Sequence, residues 1–183
     1  IYDSVTITGA LNWAAGRIVL NGNPLIVKET FSSGTFDENH MVVAGKKGKY
    51  IFVADAAYAA LDLTAPVGTS SLTSAGTLLY SYSPATINIG EAVAIGDSII
   101  VEVEGEALLG KATDLRRYWT ISSNQNFTGT MTFNYTAADD LLDYGSKDYW
   151  AVFHGSSVYE KDGAQINSPF VQHFSITDEN ING

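Results

Sequence analysis

The sequence predicts an all-β fold, a mostly antiparallel β-sandwich, and three observations carry that expectation. Apolar and polar residues alternate with a period of two from end to end, while helical spacing is almost absent. Among 183 residues there are 16 Ser, 16 Thr, 17 Gly and 10 Tyr against two Met, a composition of strand and turn formers. Turn signals separate the alternating stretches at short intervals, as in sandwiches and barrels. The length fits one domain, and 45% hydrophobic content with no cysteine suffices for a core without disulfides.

In chain order, strands are expected at Asp3–Thr8, Arg17–Leu20, Leu25–Lys28, Lys49–Val53, Leu78–Tyr82 and Ala85–Ile89, then at Ser98–Glu104, Arg117–Ser122, Thr128–Thr136, Tyr149–His154 and Pro169–Thr177. The clearest alternation is in Thr128–Thr136, which puts Met131, Phe133 and Tyr135 on one face and Thr128, Thr130, Thr132, Asn134 and Thr136 on the other. Extension stops at Asn21-Gly22-Asn23-Pro24, Gly45-Lys46-Lys47-Gly48, Ser83-Pro84 and Lys161-Asp162-Gly163, because Gly and Asn accept positive φ and Pro fixes φ. Ala56–Leu63 and Ala137–Tyr144 are the two segments that fit short helices, and the 56–76 stretch reads as a long surface loop. The chain 1–183 is a single all-β domain with a sub-boundary placed near 83–84, at Tyr82-Ser83-Pro84, and the N-terminal part admits a solenoid-like sheet layer.

Charge narrows the partners. Twenty acids against ten bases give a net charge of −10, which repels phosphate backbones and anionic membrane surfaces. Nucleic acid is therefore not an expected partner, and no apolar run approaches the ~20 residues of a membrane span. Residues 1–91 carry 7 acids and 5 bases and residues 92–183 carry 13 and 5, so the C-terminal half holds most of the negative charge. A surface covered by uncharged hydroxyls suits an extracellular location, and Ile1 in place of Met marks a processed product or an excised fragment.

From Gly9 to Val27 the chain reads Gly-Ala-Leu-Asn-Trp-Ala-Ala-Gly-Arg-Ile-Val-Leu-Asn-Gly-Asn-Pro-Leu-Ile-Val, which resembles the rungs of Bacteroidetes-type exported surface proteins. Asn39-His40-Met41-Val42-Val43, Ala65-Pro66-Val67-Gly68, Tyr82-Ser83-Pro84-Ala85-Thr86-Ile87, Arg117-Tyr118-Trp119-Thr120-Ile121 and Thr130-Met131-Thr132-Phe133-Asn134-Tyr135 follow in the order of those modules. The resemblance implies large multidomain proteins exported by the type IX route and displayed on the envelope. It implies architecture and location, not chemistry, and no sorting domain is recognisable in the sequence.

Residues that could carry chemistry are few. The histidines are His40, His154 and His173, and no G-x-S-x-G nucleophile elbow occurs, so His154 and His173 read as rim residues. Glu102, Glu104 and Glu106 alternate with Val101 and Val103 and share a strand face about 7 Å apart, which could present a carboxylate pair for sugar hydrolysis but fits a solvated sheet face better. Zinc spacings are missing. Asp178-Glu179-Asn180-Ile181-Asn182-Gly183 matches the first half of a calcium loop without its closing acid, and Asp139, Asp140, Asp143 and Asp148 read as a helix start and loop surface. Trp119 and Trp150 look like core anchors, whereas Trp13, in a small-residue stretch, is the expected exposed ring for sugar stacking. Thr128, Thr130 and Thr132 reflect β-propensity on a wet face rather than an ice-binding surface.

No catalytic, cofactor or metal residues are therefore assigned. The expected function is a non-catalytic structural or adhesive module of a surface protein, layer or fibre, self-associating or contacting neighbouring domains of that protein through its terminal strands. A carbohydrate-binding module with a glycan ligand is the alternative, and a glycan hydrolase is third.

Overall fold

The computed structural model describes residues 1–10, 13–28, 35–45, 47–72, 75–105, 118–125, 127–133, 151–154, 157–160 and 171–178. Every regular element among them is a strand: β1 (Val5–Ile7), β2 (Ile18–Val19), β3 (Pro24–Val27), β4 (Val42–Val43), β5 (Lys49–Val53), β6 (Leu61–Ala65), β7 (Val67–Leu72), β8 (Leu78–Tyr82), β9 (Ala85–Ile89), β10 (Ser98–Glu104), β11 (Tyr118–Ser123), β12 (Phe127–Phe133), β13 (Ala151–His154), β14 (Ser157–Glu160) and β15 (Val171–Asp178). The all-β class holds.

The first third of the chain winds between two sheets. Odd strands enter a five-stranded sheet ordered β1-β3-β5-β10-β11, and even ones a four-stranded sheet that begins β2-β4 and continues to β7-β8. Within this winding all neighbours are parallel: Val5 pairs with Leu25 and Leu25 with Tyr50, while Ile18 pairs with Val42 and Val42 with Val67. The N-terminal part is thus a short β-solenoid, in keeping with the layer expected there, whose coils take 20 to 25 residues by those registers. Residues with apolar side chains inward stack coil over coil. Leu25, Val27, Tyr50 and Phe52 are all buried to 1% exposure or less.

The corners explain three otherwise puzzling residues. Asn21 and Gly22 both take positive φ, 51° and 82°, and turn the chain from β2 into β3. At the next corner a Cβ on Gly48 would stand 2.7 Å from the Ala44 carbonyl oxygen and 2.7 Å from Leu20 Cβ of the coil before, so only glycine lets the coils stack there.

Past β5 the winding ends as β7 is laid parallel on β4, and the strands beyond pair antiparallel except for β12 with β15. β6 and β7 form one long strand broken at Pro66, and β8 and β9 another broken at Ser83-Pro84. They pair with each other twice: Gly68 with Tyr82 in the β7-β8 half, and Ala65 with Ala85 in the β6-β9 half. Neither proline has an N–H to lose, so the bend costs the ladder little, and the Pro66 carbonyl accepts from Val42 N at 2.8 Å. The inner halves join a separate sheet ordered β15-β12-β9-β6, and β13 pairs with β14. One cluster of buried residues, from Leu20 and Phe52 to Leu63, Ile87, Val101, Phe127 and Met131, joins all three large sheets.

The differences from expectation have physical reasons. The sheets are mixed rather than mostly antiparallel, since β1-β3, β3-β5, β2-β4, β4-β7 and β12-β15 run parallel. Parallel and antiparallel strands share one period, so alternation cannot tell them apart. Ala56–Leu63 forms no helix, and the 56–76 stretch is not one long surface loop because 61–65 and 67–72 are strands: Leu61, Leu63 and Ala65 point inward while Asp62 and Thr64 point out, and the small residues had hidden that alternation. Tyr82-Ser83-Pro84 is the bend between two sheets. Met131, Val101 and Val103 are buried as anticipated and Trp119 is half-buried against the core, while the side chains of Phe133, Tyr135 and Trp150 lie outside the described residues, as does Ala137–Tyr144.

Candidate functional site

Among the described residues, Glu102, Glu104 and His40 each bond within the framework. Alternation puts Glu102 and Glu104 on the outer face of β10, opposite the buried Val101 and Val103. Glu102 Oε1 meets Lys49 Nζ at 3.3 Å, and Glu104 Oε1 accepts the backbone N–H of Lys47 at 2.7 Å. One carboxylate neutralises β5 across the strand pair and the other fastens the turn before it. Lys47, at φ 66°, occupies a backbone region uncommon for side-chain-bearing residues, and the Glu104 bond offsets part of that cost. Glu106 lies outside the described residues.

The densest polar constellation surrounds a tight turn at 37–40. Asp37 Oδ1 accepts from Asn39 N at 2.7 Å and meets His40 Nδ1 at 2.8 Å, while His40 N donates to the Asp37 carbonyl at 3.1 Å. The bond to His40 and the amide of Asn39 hold the Asp37 carboxyl below its ordinary range. Arg17, just before β2, reaches over this turn: its Nε donates to the Glu38 carbonyl and its Nη2 to Asn39 Oδ1 at 2.7 Å. The guanidinium carbon also sits 3.8 Å from the centre of the Tyr80 ring on β8, a cation–π contact. Burial, then the nearby Asp37 charge, pushes the Tyr82 hydroxyl up to about 12. The carboxylate and imidazole close the turn, and the guanidinium ties it to β8.

Trp13 corrects the sequence reading. It is 8% exposed, its Nε1 donates to the Gly16 carbonyl at 2.7 Å, and its ring meets Phe36 edge-on at 5.8 Å between centroids. Small neighbours admitted the indole to the core rather than leaving it bare, because Gly16 at φ 91° folds the chain back beneath it. The threonines take the outer face of their sheet. Thr64, Thr86 and Thr132 lie side by side in register, as do Asp62, Asn88 and Thr130. The Thr64 and Thr86 hydroxyls are 3.2 Å apart and satisfy each other. His154, His173, Asp139, Asp140, Asp143, Asp148 and the calcium-like 178–183 stretch have side chains outside the described residues. Among the described residues no group of three His, Asp or Glu could hold a metal ion, and no helix is long and apolar enough to cross a membrane.

The first coil has a different character. β1 and β2 are outermost in their sheets, and Val5 and Val19 are 39% and 37% exposed where the residues they stack upon, Leu25 and Val43, are 0% and 3%. Alternation correctly placed both strands, yet edge position depends on which strands pair across coils. The Arg17–Tyr80 contact likewise joins residues far apart in sequence, and only the composition of Asp37-Glu38-Asn39-His40 hinted at its turn. Compared with known proteins, the chain matches no family, no curated protein and no solved structure.

Proposed function

We propose that the chain is a non-catalytic structural or adhesive module of an extracellular surface protein, of the Bacteroidetes-type exported kind its rungs resemble, and that it builds into a layer or fibre by strand addition at its first coil. The open edge of β1 and the partly exposed Val5 and Val19 support this reading, while on β2 the outward carbonyl of Val19 already accepts from the Ile1 amino group. A solenoid coil buries its apolar face only against a neighbour, and a coil that ends a stack in water normally turns a polar side outward. An edge with backbone groups on offer accepts an extended strand, taking affinity from the ladder and specificity from alternate side chains.

Sedimentation of the full chain and of a variant lacking Ile1–Gly9 tests it. A folded variant that no longer assembles supports the proposal; a parent monomeric at every concentration overturns it. Should the deletion unfold the chain, Thr6→Pro serves instead. Ile7 accepts from Lys28 on the β3 side, so the N–H of Thr6 faces the open edge and a proline there blocks only that edge. Assembly unchanged by this variant also overturns the reading. Glycan binding keeps one supporting feature, the 94% exposed ring of Tyr2, and a glycan array with Tyr2→Ala as control decides it.

A further inference from the structure

The five-stranded sheet has an outer face that the core does not use. Read across it in register, Thr6 lies beside Ile26, Ile26 beside Ile51, Ile51 beside Ile100, and Ile100 beside Ser122. Three isoleucines therefore run side by side over β3, β5 and β10, half-buried, and none of them belongs to the core cluster or packs against it. The next row holds Lys49 on β5 and Glu102 on β10, bonded at 3.3 Å. The row after that brings Lys47, exposed, beside Glu104. Positive charge thus sits on the β5 side and negative charge on the β10 side of an apolar band.

We propose that this face docks a second copy of the chain, face to face, about a twofold axis that runs along the strands between β5 and β10. Such an axis exchanges the two strands. Ile51 comes to lie over Ile100 of the second copy, and Lys49 over Glu102 of the second copy, with the reciprocal pairs on the other side. The four charges then alternate in sign around a square, each with two opposite neighbours. An axis through β5 would set Lys49 over Lys49, and one through β10 would set Glu102 over Glu102, so the charges themselves select the position between the strands. Packed sheets lie about 10 Å apart with strands about 30° askew, which keeps the rows nearest the axis in contact and lets β1 and β11 diverge.

Magnitudes set the strength. With strands ~4.8 Å apart and ~3.3 Å per residue, the face measures roughly 300–400 Å² per copy, half or less of the about 800 Å² a partner gives to a standard interface. The dimer is accordingly weak and concentration-dependent, suited to molecules crowded on a surface. The net charge of −10 on each copy opposes approach only within a Debye length of about 8 Å at physiological salt, where the local pattern dominates.

Sedimentation equilibrium of the full chain from about 1 μM to about 1 mM, at low and high salt, tests the proposal. A reversible dimer that weakens with salt is expected, alongside any larger assemblies built by strand addition at the first coil. Lys49→Glu and Glu102→Lys should each weaken it at least tenfold, the double exchange should restore it, and Ile51→Thr, which keeps β-branching and hence the strand, should weaken it with the charges intact. Thr6→Pro should leave it unchanged, which separates this face from the open edge of the first coil. A monomer throughout, a double exchange no better than the single ones, a dimer indifferent to Ile51→Thr, or a dimer lost with Thr6→Pro would each overturn it.

Discussion

The solenoid coils and the antiparallel strands that follow them share one core yet are held together differently. In the coils, strands of two to five residues pair with partners a full turn of the winding away, as Leu25 does with Tyr50. In the later part, strands of four to eight residues pair mostly across bends and turns, as Leu72 does with Leu78. Short strands contribute few ladder bonds each, so the coils depend on stacked side chains and on glycine corners, whereas the later strands depend on register. Packing errors should therefore hurt most in the coils, and steric errors most at the seam.

The largest expected effect tests the first half of that statement. Phe52, fully buried on β5, faces Ile99 on β10 across the boundary between parallel and antiparallel pairing. Phe52→Ala should cost about 3–5 kcal/mol and Ile99→Val about 0.5–1.5 kcal/mol in urea unfolding. Because a single buried cluster joins the sheets, both should move one shared transition. Two separate transitions would divide the molecule into independent parts and break the comparison.

Gly68 probes the seam. A Cβ there would stand 2.4 Å from Met41 Sδ and 2.4 Å from the Ser81 carbonyl oxygen. The thioether can swing aside but the backbone cannot, so Gly68→Ala should cost about 1–3 kcal/mol as an overpacked site does. A thermal melt that the substitution leaves unmoved would show that β7 and β8 separate readily.

Next comes a pH effect. Burial, then the Asp37 charge, pushes the Tyr82 hydroxyl up to about 12 from an ordinary value of 10. A phenol whose pKa is raised in the folded state lends stability that is whole below pH 10 and is lost as pH rises from there through 12. Tyr82→Phe should flatten the fall in stability over that window, measured by urea unfolding at stepped alkaline pH. The smallest effect is expected at Glu102→Gln. Its partner Lys49 is 46% exposed, and such pairs contribute under about 1 kcal/mol, measurable by the same unfolding at neutral pH.

How much of this was legible follows from the same contrast. Lys49–Val53, Leu78–Tyr82, Ala85–Ile89 and Ser98–Glu104 are strands over the very residues that alternation marks. β6 and β7 escaped because Ala65, Pro66 and Gly68 carry little of the hydrophobic signal that period-two reading needs. β4 escaped because two residues cannot alternate visibly. At the candidate sites, the shared face of Glu102 and Glu104 was legible from spacing alone. Their bonds to Lys49 and the Lys47 amide were not, since those partners stand on β5 and in the turn before it. Trp13 was misplaced because burial depends on what folds over a residue, and Phe36 and the turn at Gly16 do so from outside its own stretch.

The doubly bent pair of strands at Pro66 and Ser83-Pro84 also bears on the order of events during folding. Closing β7 on β8 joins residues six apart at its tip, from Leu72 to Leu78, and so demands little loop entropy. Every coil contact demands more, because its partner is 20 or more residues away. Once closed, the bent pair presents two templates at once: the edge of β7, on which β4 and then β2 can be laid, and the strand β9, to which β12 adds. Growth of the coils then runs backward along the chain, from β7 toward the N-terminus. Folding rates should therefore respond strongly to changes in β7 and β8 and weakly to changes in β1, whose loss would instead speed unfolding.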